Sequence, residues 1–166
     1  MVYEGVKMIK ERLQEFTVRI TQANRSELIV IMYDIIKADI EYAKELLSLG
    51  DFKGYDKECH HAQKIMHELM STLDYHYAIS YDLLSLYSYS NKRLIAAYMK
   101  KDSQYLDEVS VVIDNLKDGF VAVSQQDKSD PLMKNTQQIY AGLTYGRKSL
   151  NESAVDFNDT KRGYMA

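Results

Sequence analysis

The segment FKGYDKECHHAQKIMHELMSTL, residues 52–73, decides the fold. Its Phe52, Tyr55, Cys59, Ala62, Met66, Leu69 and Leu73 alternate spacings of three and four without a miss. A helix turns once in about 3.6 residues, so this spacing draws one narrow apolar stripe, the seam of an antiparallel helix bundle. The chain on either side should supply the helices that the seam packs against.

Upstream, ANRSELIV (residues 23–30) is a helix start: Asn24 can cap free amide groups, and Glu27 three residues on completes a capping box. Leu28, Met32, Ile35, Tyr42, Leu46 and Leu49 then form one stripe, interrupted by Asp39. Ile29, Tyr33, Ile36, Ile40, Ala43 and Leu47 form a second beside it. Together they exceed a single apolar face, and Gly50 offers a left-handed C-terminal cap. Downstream, a turn around residues 74–76 leads to a third helix reaching Lys101, with Ile79, Leu83, Leu86, Leu94 and Ala97 read as its inner face. Asp102 should cap a fourth, whose Tyr105, Val109, Val112, Leu116, Phe120 and Val123 repeat the seam. Short connections make neighbouring helices antiparallel. The expectation is an all-α protein with an antiparallel four-helix bundle over residues 24–127. It is preceded by an N-terminal amphipathic segment (1–23) whose Val6, Ile9, Leu13, Phe16 and Ile20 predict a helix over residues 3–20. Residues 128–166 should hold a short C-terminal helix, opened by Asp130 and Pro131 and carrying Leu132, Ile139, Tyr140 and Leu143, then a polar, mobile tail after Gly146.

Composition narrows the function. With 166 residues, 46% hydrophobic and 27% charged, the chain suits one soluble domain. A net charge of −3 argues against nucleic acid, which needs clustered Lys and Arg. The lone Cys59 fits a reducing compartment, the N-terminus has no apolar signal region, and no run approaches membrane-spanning length, so a cytoplasmic protein without membrane insertion is expected. An enzyme is not expected. Glu58 with His61 offers one Glu-x-x-His half of a di-iron site, but Lys57, Lys64 and Leu73 stand at the acid positions before His60, His67 and His76. No metal and no other cofactor is therefore read. Cys59 occupies a seam position, where a buried thiol is inert packing.

The surplus lies elsewhere. RLIAAYMKKDSQYLDEV (residues 93–109) joins two helices at Asp102 and carries more apolar and tyrosine side chains than one core needs. Half of the fourteen tyrosines fall between Tyr75 and Tyr105. Tyr77, Tyr81, Tyr89 and Tyr98 cannot all share one seam with Leu83, Leu86 and Leu94, so some line another surface, and tyrosine is enriched at binding surfaces. LIVIMY, residues 28–33, is apolar around most of its helix and must be covered, either by the chain's own residues 3–20, by its last helix, or by a partner.

QANRSELIVIMYD, LLSLGD, AQKIMHELMSTLD, LYSYSNKRLIAAYMKKD and LDEV, in this order and spacing over roughly residues 16–125, resemble the flagellin export chaperone family (FliS). The resemblance implies a cytoplasmic helical chaperone that uses no ATP. It would bind the disordered C-terminal segment of flagellin, prevent its premature polymerisation and present it to components of the flagellar export gate. Asn91 and Arg93 stand at matching positions and could hydrogen-bond the bound segment, although exposed surface or a bridge to the bundle's own acids also suits Arg93. Tyr33, Tyr87, Tyr89 and Leu94 are candidate apolar contacts, each equally compatible with a core role. Ile29 and Tyr98 join them as candidates. The N-terminal aromatic implicated in partner binding corresponds at best to Phe16 with Ile20, and Asn24-Arg25 replaces the Ser-Pro of many relatives. Residues 3–20 are expected to cover the flagellin groove in the free protein as a pseudo-ligand. The competing reading is a helical adaptor or oligomerisation module for a different protein, and a homodimer stays compatible with the sequence.

Overall fold

A computed structural model describes residues 2–134, with side chains from Glu11 onward. Five helices occupy them: α1 (Val2–Gln22), α2 (Arg25–Ser48), α3 (Phe52–Ser71), α4 (Ile79–Lys100) and α5 (Gln104–Gln126), with no strand among the described residues. Helix α2 packs on α3 and α5, and α4 packs on the same two, so α2 to α5 close a helical bundle around one core. Helix α1 lies outside this ring, against α2.

The helix ends form where short polar side chains and glycine permit. Asn24 accepts the Glu27 amide (2.9 Å) while its own amide donates to Glu27 Oε2 (3.0 Å), the expected capping box. At the other end of α2, Gly50 adopts φ +74 and donates to Leu47 O, while Asp51 donates to Leu46 O, the paired bonds that satisfy a helix's last carbonyls. Asp102 acts one place earlier than expected: Ser103 is the formal cap of α5, and Asp102 Oδ1 accepts the Gln104 amide.

The core refines the seams. In α3, Tyr55, Cys59, Ala62, Met66 and Leu69 are buried as read, whereas Phe52, the first residue of the helix, is exposed. Burial pushes the Cys59 thiol up to about 11, leaving it protonated and inert near neutral pH. In α2 the second stripe carries most of the core; of the first, Leu46 is buried in it, Met32 and Tyr42 pack at its edge, and Ile35 and Leu49 turn outward. The inner face of α4 is Ser80, Leu83, Tyr87, Ser90, Leu94 and Ala97, which keeps the three-four spacing unbroken, while Ile79 and Leu86 are exposed. In α5, Leu106, Val109 and Ile113 are fully buried. Tyr105, Leu116 and Phe120 pack at the core edge, and Val123 is exposed.

Residues 131–134 are not helical, so the expected helix does not begin at Pro131, and instead the Leu132 amide donates to Ala23 O (3.0 Å). The rest of that expected helix and the tail lie outside the described residues, as do the side chains of Val6 and Ile9.

Candidate functional site

The outward stripe of α2 and the position of α1 together make a groove. Leu13, Phe16 and Ile20 of α1 face Ile35, Ala38 and Tyr42 of α2, and Ile65 of α3 closes one side. The cavity measures about 550 Å³. The contact is incomplete, since Leu13 keeps 60% of its surface exposed. Polar links also hold α1 there: Arg19 Nη2 donates to Asp34 Oδ2 (2.6 Å), and Arg12 Nη1 to Ala38 O (3.4 Å). Asp34 also receives Lys117 of α5 (2.5 Å). Burial pushes its carboxyl up, but the two cations outweigh this and hold it below the usual carboxylate range.

One end of the groove is charged. Asp39 is buried and accepts from His61 Nδ1 at 2.7 Å. Desolvation raises the Asp39 pKa despite that bond, and the bond to Asp39 raises the His61 pKa against its own burial. Glu58 is also raised, first by burial and then by the Asp39 charge. Lys57, His60 and Lys64 complete the lining. Among the described residues no three His, Cys, Asp or Glu side chains converge to hold a metal ion.

The sequence candidates divide between three places. Phe16 and Ile20 lie in the groove, and Ile29 packs half-buried against the core edge. Tyr33, Tyr87 and Leu94 are corrected to core residues: each is at most 1% exposed, and the two tyrosine hydroxyls meet at 2.5 Å in the centre of the bundle. Their hydroxyls satisfy each other there, so these rings are shut away from any partner in this conformation.

The remaining candidates lie on α4, Tyr89 and Arg93 on its α5 side and Asn91 and Tyr98 on its α3 side, where Tyr98 also packs against the core. Tyr89 donates to Glu108 Oε2 (2.8 Å), and the Arg93 guanidinium lies between the Tyr89 and Tyr105 rings, 5.1 and 5.7 Å from their centroids. Arg93 Nε stands 2.8 Å from the same Glu108 oxygen, so Arg93 bridges to an acid of the bundle. Asn91 Nδ2 reaches His67 Nε2 (3.4 Å), but its buried Oδ1 has no partner among the described residues. Tyr98 packs its ring on His60 (4.5 Å between centroids), and Lys101 Nζ lies 4.5 Å from the Tyr98 ring centroid. Exposed Tyr81, Leu86, Ile95 and Met99 make this surface apolar between its polar anchors. Arg12, Leu13, Glu58 and His61 were not singled out as binding residues by sequence reading. The available signal was Asp39, which interrupts an otherwise apolar stripe.

Comparison with known proteins supplies a family. The sequence model described as "Flagellar protein FliS" matches residues 8–127. Among curated proteins, the chain is 25% identical over 111 residues to "Flagellar secretion chaperone FliS" of Bacillus subtilis (strain 168), an alignment covering 67% of this chain and 84% of that protein.

Proposed function

The chain belongs to the flagellar protein FliS family, and from that premise we propose that it is a cytoplasmic, non-enzymatic secretion chaperone for flagellin. It would bind flagellin's disordered C-terminal segment, prevent premature polymerisation and deliver the complex to the flagellar type III export apparatus. The observation that carries this reading is the apolar groove between α1, α2 and α3, whose α1 wall is incompletely packed. A helical piece of flagellin can take the place of α1 there, exchanging one apolar stripe for another.

On this reading the ring of α2 to α5 acts as an antiparallel four-helix bundle, rigid enough to serve as a mould. Phe16 and Ile20 mimic the ligand in the free protein. Ile29, Tyr89, Asn91, Arg93 and Tyr98 carry further stretches of the wrapped segment, and Tyr33, Tyr87 and Leu94 stiffen the core beneath them. Coupled folding of such a segment buries on the order of 1,000–3,000 Å² and uses part of the gross interaction energy for ordering, which keeps the complex releasable.

Calorimetric titration with a peptide covering flagellin's C-terminal helical segment tests the reading. Submicromolar one-to-one binding with a negative heat-capacity change supports it, and no heat from a folded sample refutes it. Deleting residues 2–22 should tighten binding, because the ligand no longer competes with α1. Unchanged or weaker binding would remove the pseudo-ligand role.

A further inference from the structure

The charged end of the groove has no purpose in a purely apolar mould. Asp39 interrupts the α2 stripe and is nine-tenths buried, a placement that costs free energy unless the carboxylate is partnered. His61 takes one of its oxygens. Glu58, one turn before His61 on α3, faces the same cavity and lies within the field of the Asp39 charge. Among the described side chains of α1, Arg12 reaches this end: it rests on the carbonyl of Ala38 beside Asp39, and its charge acts on Asp39 and Glu58 alike. Arg12 stands four residues before Phe16, so α1 presents a guanidinium one helical turn from the central apolar residue of its stripe.

We propose that the groove selects a helical segment carrying a basic side chain one turn from its central apolar residue, with Glu58 and Asp39 as acceptors and Arg12 as the stand-in in the free chain. The inference deepens the flagellin reading and rests on it for the identity of the incoming segment. The acids discriminate more than they attract. A segment with an acid or an apolar residue at that place would leave Glu58 and Asp39 facing like charge or no charge, a penalty that a plain apolar groove could not impose. Lys57 and Lys64 line the same end, and the Lys57 charge also acts on Glu58, so the site is not an open attractor for every cation.

Two measurements on the full chain test this, each after circular dichroism has shown the variant to be folded. In the first, hydrogen exchange of amides 11–22 is compared in the wild type, Arg12→Glu and the double variant Arg12→Glu with Glu58→Arg. Protection should fall about fivefold in the single variant and return in the charge-swapped double variant. Unchanged protection in the single variant, or a fall that the double variant does not restore, overturns the proposal. In the second, the flagellin C-terminal peptide and versions with each Lys or Arg replaced by Gln are titrated into wild type and Glu58→Gln. One basic residue should matter about fivefold to the wild type and less than about twofold to Glu58→Gln. Equal losses in both proteins overturn the proposal. Failure of every peptide to bind the wild type would instead refute the flagellin reading, and the exchange measurement would still decide the role of the acids.

Discussion

At the scale of single residues, the Tyr33 and Tyr87 pair explains why tyrosine is poor evidence of a binding surface here. A hydroxyl that finds another hydroxyl can be buried almost as cheaply as a phenyl ring, and Tyr33 also meets the Phe120 ring edge-on at 5.6 Å. Burial accordingly raises both phenol pKa values, keeping the pair neutral. Replacing either tyrosine with Phe strands the other hydroxyl and should lower stability by about 1–2 kcal/mol in urea unfolding. The double replacement should cost less than the sum, and strict additivity would show that the pair does not interact. Ser90 gives the opposite case. It is fully buried and its Oγ has no partner among the described residues, so Ser90→Ala should raise the unfolding midpoint, by up to about 1 kcal/mol in stability. A loss of stability would mean that the hydroxyl is satisfied after all.

At the scale of elements, helix existence was legible because caps and spacing are local, whereas helix rotation was not. The seam of α3 was read almost whole since every seam position carries an apolar residue or Cys59. The seam of α4 was read correctly at Leu83, Leu94 and Ala97 but one position off at Ile79 and Leu86, because Ser80 and Ser90 are polar inside while Ile79 and Leu86 are apolar outside. The partners of Ser80 and Tyr87, which lie outside α4, settle the rotation. Ser80 Oγ, for example, donates to Asp74 O at 2.6 Å. The groove was half legible for the same reason: the double stripe of α2 foretold a covered outer face, but the meeting of Asp39 with His61 spans helices. The α1–α2 corner shows what Asn24 adds to an ordinary cap. Its Nδ2 donates to Asp127 O (3.1 Å), and Ser26 Oγ donates to Asp127 Oδ2 (2.5 Å), tying the corner to the end of α5. Asn24→Ser keeps a capping oxygen but loses the tether, so it should destabilise less than Asn24→Ala, which should cost about 1–2 kcal/mol. Thermal melts giving equal losses would assign the whole effect to the tether.

At the scale of the molecule, charges stitch the helices together across the whole ring: Lys37 to Asp114, Lys44 to Asp107 and Lys117 to Asp34 join α2 to α5, while Lys101 to Asp56 joins the end of α4 to α3. Such half-exposed pairs contribute little singly, so their pH signature is weaker than that of the shifted groups. Three carboxyls are held below their ordinary 3.8: Asp34, Asp74 through its bonds from His76, and Asp127, which the Ser26 and Ser129 bonds bring to about 2. A lowered acid contributes stability that is present above its unfolded value and lost as pH falls through its folded one, so acid should weaken the protein from about pH 4 downward. His61 runs the other way. Its folded pKa is raised above 6.5 by Asp39, so its contribution is complete below 6.5 and disappears as pH rises through the higher folded value. Asp39 itself is raised by burial, so it too is harder to ionise in the folded chain and its contribution fades with rising pH through the carboxylate range. The urea midpoint should therefore decline as pH rises above about 6.5, and His61→Gln should flatten that decline while Asp127→Asn leaves it intact and blunts the acid limb instead. If His61→Gln keeps the full alkaline decline, the pair beneath α1 is not the titrating element. The groove would then hold its charge, and its grip on α1, unchanged across that range.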